Sequence, residues 1–191
     1  MIAANWLHNY DEAIIALDAP LGWPKKMSDV LPYHRAGLPI RVESNQLFRR
    51  ITDIEIKERL DKQPLDVGAN LIARTAIAAL EMLDQIRCTT KRTIPLAWAP
   101  RETELWRAIE VYPAATRIAH GAPDLGGSLS GLENLLDCSL VLPALMQSKD
   151  VVDAVVCALA AADFICGRAI PPDDQDTALV EGWIWTSIPV Q

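Results

Sequence analysis

The feature that most constrains the fold is an uninterrupted apolar run at residues 13–17, AIIAL, which ends at Asp18. A run of this length without polar alternation is typical of a strand covered on both faces, as in a sheet between layers of helices. Pro20, Gly22 and Pro24 follow and prevent a strand or helix from continuing. We therefore predict a buried strand with Asp18 at its carboxyl end, where open α/β sheets bind ligands. Asp18 is explained equally well as a turn-initiating residue before a proline.

Length and composition predict one globular domain, and a strand covered by helices makes its expected class α/β. The chain has 191 residues, of which 50% are hydrophobic, and its formal net charge is −7. That charge disfavours non-specific attraction to nucleic acid, although carboxylates clustered at a metal site would contribute to it. The four cysteines lack metal-ligand spacing and are interpreted as reduced thiols, so we expect a cytoplasmic protein. With no signal pattern and no apolar segment long enough to span a bilayer, no membrane partner is expected.

A second strand is predicted at residues 106–112, where Glu110 interrupts an apolar run and Pro113 ends it. Pro113 suits the first turn of a further helix, and Gly121 suits the cap after its last turn. The other elements expected from periodicity are helices at residues 2–10, 45–60, 69–86, 132–136 and 149–166, a loop at 28–42 and a short strand or extended tail at 181–188.

The helix at residues 149–166 is apolar nearly all round, so we expect it to be the most buried helix, with Ala158 and Ala161 close to the sheet. Its first turn carries Asp150, and Asp153 follows three residues later on the same helix face. Asp150 is explained well as a partner of the helix dipole. Asp153 lies deeper in the helix, and if it is buried it must be paired or bound to a metal ion.

If the two predicted strands are parallel neighbours, Asp18 and Glu110 converge at one edge of the sheet, and the acidic helix can bring Asp150 and Asp153 there. Oxygen ligands of this kind suit Mg²⁺ or Mn²⁺, which support phosphodiester cleavage. The sequence contains neither a G-x-S-x-G nor an H-E-x-x-H motif, and its three histidines are isolated.

Five sequence blocks follow one another over most of the chain: IALDAPLGWP, FRRITD, IEVYPAATR, KDVVDAVVCALAA and EGWI. In this order they resemble the family known as domain of unknown function 429, which is grouped with predicted RNase H-like nucleases. The resemblance implies an RNase H-like mixed sheet flanked by helices, with acidic residues that hold a divalent metal ion.

The resemblance also implies roles for individual residues. Asp18 and Asp153 would bind metal, Asp150 would bind or orient it, and Glu110 would support the site. Arg50 and Asp53 fall on the family's R-x-x-D block; Arg50 would either contact a phosphate or form a surface ion pair.

RNase H-like domains begin with a three-stranded antiparallel unit, and about a dozen residues before the first strand are too few for it. We therefore expect residues 1–191 to form a single, N-terminally shortened RNase H-like domain. A strand left without that neighbour has an open edge that can pair with a second chain, so we expect self-association. Two functions stay open: a metal-dependent nuclease, inactive if the shortened site is incomplete, or a non-catalytic RNase H-like scaffold that binds a partner.

Overall fold

A computed structural model describes residues 2–122, 129–139 and 148–190. Within those ranges it has two parallel strands, β1 (Ala13–Leu17) and β2 (Trp106–Glu110). The helices are α1 (Ile2–Leu7), α2 (Lys25–Val30), α3 (Ser44–Phe48), α4 (Ile51–Leu60), α5 (Asn70–Thr90), α6 (Pro113–Ala119), α7 (Lys149–Ile165) and α8 (Gln175–Glu181), and a 3₁₀ turn spans Leu31–Tyr33. None of the helices in these ranges is long and apolar enough to cross a membrane.

The strand pair confirms the predicted meeting of the two carboxyl ends. Ala13 pairs with Trp106 and Leu17 with Glu110, so Asp18 follows β1 at the level where β2 ends. Alternate β1 side chains pack against different layers, with Ile15 toward α1 and α5 and Ile14 toward α7. The expected coverage of both faces is therefore confirmed, and the α/β class with it, but β1 itself is half-buried, whereas β2 is the fully buried strand.

The opposite edge of β2 is joined by short bridges instead of full strands. Ala108 bridges Leu96, and Glu110 bridges Ile184, both in parallel orientation. The carboxyl-terminal segment thus lies beside β2, where Trp183 and Trp185 pack with Phe164 of α7. Within the described residues, β1 pairs only with β2, and its outer edge carries no ladder.

Helix α7 was predicted nearly to the residue, but its burial is one-sided. Val156, Phe164 and Asp163 are fully buried, whereas Ala158 is exposed and Ala161 is half-buried against the core. Ala158 therefore does not approach the sheet, and α6, with five of its seven residues buried, is more completely buried than α7, with seven of seventeen, so both parts of that prediction are wrong. Seventeen residues make almost five turns, so a helix lying on a two-stranded sheet keeps one side toward solvent.

Several other element boundaries differ from the sequence-based expectation. Residues 25–30 form α2 where a loop was expected, and the helix expected at 45–60 is divided into α3 and α4 by extended backbone at Arg49 and Arg50. Residues 132–136 form turns, and α8 precedes the expected tail. The division at Arg50 matters most, because it places that side chain in the interior.

Candidate functional site at the carboxyl end of the strands

The carboxyl ends of β1 and β2 lie at two adjoining cavities, both lined by Asp18 and Tyr112. The first, of about 290 Å³, has charged walls formed by Asp18, Asp153, Lys62, Lys149 and Arg117. The second, of about 110 Å³, has walls that are mainly apolar and a floor that includes Arg50, Asp53 and Glu110. We call them the charged cavity and the apolar cavity.

Asp18 reaches the charged cavity from the end of β1. Surrounding protein atoms deprive its carboxyl of hydration and raise its pKa from 3.8 to about 6, although the side chain still contacts solvent. The negative charge of Asp153 raises the pKa further, Lys149 opposes the shift, and Glu110 adds a smaller increase. The ionised form of Asp18 is therefore destabilised, first by lost hydration and then by the like charge of Asp153.

Asp153 reaches the same cavity from the second turn of α7, with about a fifth of its side chain exposed. Lys149, one turn earlier, places Nζ 3.9 Å from Asp153 Oδ2, at the outer limit of an ion pair. The buried thiol of Cys157 lies one further turn along α7. Burial raises the pKa of that thiol to about 12, with added contributions from Asp18 and Asp153, so it stays protonated.

The structure therefore brings Asp18 and Asp153 to one cavity, as the sequence predicted. Asp150 lies exposed in the first turn of α7 and is absent from the described residues that line the charged cavity. Among residues 2–122, 129–139 and 148–190, no three His, Cys, Asp or Glu side chains are grouped to hold a metal ion.

Arg50 forms the centre of a buried ion network. Its five N–H donors all have acceptors: Nε and Nη2 donate to Asp53 (3.2 and 2.9 Å), Nη1 and Nη2 donate to Glu110 (2.8 and 2.7 Å), and Nη1 also donates to the Glu181 carbonyl (3.2 Å). Arg50, Asp53 and Glu110 are each at most 3% exposed. The expectation of a surface ion pair for Arg50 is therefore wrong.

Both acidic members of this network have backbone donors as well. Glu110 Oε2 accepts from the Leu21 amide at 2.9 Å, and Asp53 Oδ2 accepts from the Arg50 amide at 2.9 Å. Burial raises the pKa of the Glu110 carboxyl, and the Arg50 guanidinium opposes that rise. The oxygens of Glu110 are thus committed to protein donors that fix the turn after β1 and the start of α4.

Glu181 is a further buried carboxylate that the sequence analysis did not single out. Its two oxygens accept from the amides of Lys25 and Ile51, each at 2.7 Å. These are the first residues of α2 and α4, so one side chain satisfies donors at two helix amino termini. Its EGWI block was noted, but no spacing rule connects a residue with amides more than a hundred positions away.

Close backbone contact explains two glycines around Glu181. A Cβ on Gly22 would lie 2.4 Å from the Glu181 carbonyl carbon, and a Cβ on Gly182 would lie 3.0 Å from Glu110 Oε2. Gly182 also has a φ of +80°, a left-handed conformation that glycine adopts without strain. The turn after β1 therefore rests directly on the chain that leaves α8.

A second polar cluster, near the carboxyl end of α7, joins His120, Asp163 and Ser187. His120 Nε2 lies 2.7 Å from Asp163 Oδ2 and 3.5 Å from Ser187 Oγ, and Arg168 Nε donates to Asp163 Oδ1 at 2.9 Å. A serine triad needs its serine and its carboxylate on different ring nitrogens. Both partners meet Nε2 here, so this cluster is a structural one.

Comparison with known proteins yields a family and no characterised relative. No curated protein and no solved structure matches the chain. Residues 1–177 match the family described as "Protein of unknown function (DUF429)". Because that match spans most of the chain, including both strands, the side chains of Arg50, Asp53 and Glu110 and every residue of the charged cavity, this protein is a member of the DUF429 family.

Proposed function

We propose that this protein is a phosphodiester hydrolase that uses one divalent metal ion, Mg²⁺ or Mn²⁺, at the charged cavity. The observation that carries the proposal is the placement of Asp18 and Asp153 on one cavity at the carboxyl end of a parallel strand pair. We further propose that the strand pair, with helices on both faces and an acidic residue on α7, is the core of an RNase H-like fold.

The donor set fits such an ion. Magnesium commonly takes one or two carboxylates from the protein and completes its coordination with water and substrate phosphate. Asp18 and Asp153 supply two hard oxygen donors, and a cation between them would relieve the repulsion that adds to the effect of lost hydration on the Asp18 pKa. When bound, the ion activates water and stabilises the leaving oxygen of a phosphodiester.

The remaining cavity residues suit the substrate. Lys62, Lys149 and Arg117 place positive charge around the two carboxylates, where phosphate oxygens would need it. Glu110 and Arg50 act one layer below: they hold the turn after Asp18 and the start of α4 in position and do not touch the reacting atoms.

Thermal denaturation of the full chain tests metal binding. Mn²⁺ should raise the melting temperature by mass action, and Asp153→Asn should abolish that rise. Asp150→Asn is a matched comparison on the same helix, and it should keep the rise because its side chain faces solvent. An equal rise in Asp153→Asn would mean that the ions bind elsewhere and would refute the proposal.

Hydrolysis is tested with bis(p-nitrophenyl) phosphate, which reports phosphodiester cleavage without requiring a nucleic acid. Cleavage should require Mn²⁺ or Mg²⁺ and should be lost in Asp18→Asn and in Asp153→Asn.

One observation favours a second function, a non-catalytic binding protein: Asp53 and Glu110 are committed to Arg50, which leaves few carboxylates for metal. Binding of Mn²⁺ without cleavage of this diester or of single-stranded DNA or RNA would support that function.

A further inference from the structure

The apolar cavity adjoins the proposed phosphate site without an explained role. Its apolar wall is formed by residues from five separate parts of the chain: Pro20, Pro64, Leu65, Ile72, Val111 and Ile184. Asp18 and Tyr112 line both cavities, so a group entering the apolar cavity would lie beside a phosphate held in the charged one.

The walls determine what this cavity can take. The polar groups of its floor, those of Arg50, Asp53 and Glu110, already form hydrogen bonds with one another or with backbone amides. A ligand group placed on them gains little from polar contacts and gains mainly from removing apolar surface from water. The occupant is therefore apolar on most of its surface.

The volume limits the size of that group. An apolar cavity of about 150 Å³ is sufficient to bind benzene. At about 110 Å³ the apolar cavity is smaller than that and open to solvent on one side, so a single ring fills it and a fused double ring would extend beyond its apolar walls.

Resting on the proposed function, we propose that the substrate is a small phosphate ester whose phosphate lies in the charged cavity and whose adjoining single-ring group enters the apolar cavity. The charge distribution agrees with a small ligand in place of a long nucleic acid. The chain as a whole carries −7, which disfavours the non-specific electrostatic attraction on which binding of a long nucleic acid depends, whereas three cations at the charged cavity are enough for one phosphate group.

Binding of three phosphate monoesters to the full chain tests the proposal. Isothermal titration in the presence of Mn²⁺ compares methyl phosphate, phenyl phosphate and 1-naphthyl phosphate. Phenyl phosphate should bind at least about tenfold more tightly than methyl phosphate, because it buries a ring. 1-Naphthyl phosphate should lose most of that gain. Equal affinities for methyl and phenyl phosphate, or a tighter naphthyl ester, would overturn the proposal.

Variants of the cavity wall change its size in both directions. Ile72→Ala enlarges the cavity and should raise the affinity for 1-naphthyl phosphate, whereas the matched Leu71→Ala, at an exposed neighbouring position of α5, should not. Leu65→Trp fills the mouth from a position that is 66% exposed, so the chain should fold, and it should reduce phenyl phosphate to the affinity of methyl phosphate.

The outcome of the ester-binding experiment can be distinguished from the outcome of the metal-binding experiment that tests the proposed function. The Mn²⁺-dependent rise in melting temperature and its loss in Asp153→Asn report the metal site alone. If that rise is present while the phenyl and methyl esters bind equally, the metal site stands and the ring cavity is refuted. If Mn²⁺ does not bind while the ester preference persists, the metal site is refuted and the ring cavity stands.

Discussion

Removal of the Arg50 guanidinium tests whether the buried ion network holds the site together. In Arg50→Met the side chain keeps an apolar stem of similar length but loses all five donors. Asp53 and Glu110 then remain buried with one backbone donor each, from the Arg50 amide and the Leu21 amide. Two carboxylates without a cation are costly to keep in the interior.

The magnitude follows from the cost of breaking a buried ion pair, about 3–5 kcal/mol. Adding the five hydrogen bonds at their usual strength would give a larger figure, but the arginine no longer has to be desolvated in the variant, and that gain offsets part of the loss. Since a domain of this size is stable by about 5–15 kcal/mol, we expect the variant to lose about a fifth of its stability or more.

Urea unfolding followed by far-ultraviolet circular dichroism measures the effect. The chain supplies its own control, because Arg49 stands next to Arg50 and forms an ion pair with Asp66 at the surface, 3.2 Å apart, with side chains 30% and 43% exposed. Arg49→Met should cost less than about 1 kcal/mol. Arg50→Lys should be intermediate, because an ammonium has three donors and cannot make two bidentate contacts.

Equal destabilisation by Arg49→Met and Arg50→Met would refute this reasoning. If Arg50→Met does not fold, the double variant Arg50→Met/Glu110→Gln decides the question. Replacing Glu110 removes one of the two stranded charges, so the double variant should be more stable than Arg50→Met alone. A double variant that is less stable would show that charge burial is not the origin of the effect.

Three further predictions concern the same region. With a metal chelator present, Asp18→Asn should stabilise the chain above pH 6. The pKa of Asp18 is raised from 3.8 to about 6 in the folded chain, so the native protein loses stability as the pH rises between those two values. The full shift corresponds to ~3 kcal/mol, and allowance for solvent exposure reduces the expected gain of the variant to ~1 kcal/mol. Melting temperatures at pH 4 and pH 8 check this, and a gain at both would contradict it. Gly22→Ala should lower the melting temperature by several degrees because its Cβ would meet backbone at 2.4 Å, whereas Gly68→Ala, which faces the Phe48 side chain at 3.1 Å, should be better tolerated; the reverse order would count against a rigid contact. Sedimentation velocity should show concentration-dependent self-association through the outer edge of β1, and a monomer at every concentration would disprove it.

The sequence was most informative where local signals agree with long-range packing. The run ending at Asp18 predicted a strand, its coverage on both faces and the position of the Asp18 carboxylate. The length of the apolar run, the polar residue that ends it and the prolines that follow all indicate a strand that stops at this position. Pro113 and Gly121 similarly mark the two ends of α6: Pro113 is its first residue, and Gly121 follows its last turn with a φ of +70°.

Local signals were least informative around Arg50. An apolar and charged periodicity runs through residues 45–60, yet the backbone is extended at Arg49 and Arg50, because that conformation lets the guanidinium reach Glu110, sixty positions away. Periodicity carries no record of such a partner, so the arginine was interpreted as a surface or substrate group. Glu181 was missed for the same reason, since its acceptors serve amides of distant helices.

The separation of the two strands along the chain has a consequence for synthesis. More than eighty residues lie between Leu17 and Trp106, so β1 emerges from the ribosome long before its partner exists. At roughly 5–20 residues per second, the delay lasts about 4–18 seconds. Throughout that time both edges of an apolar strand are open to other nascent chains. The protein is therefore expected to depend on chaperone cover early in its translation, and slowing of the ribosome within residues 18–105 should lower its soluble yield more than slowing after residue 110.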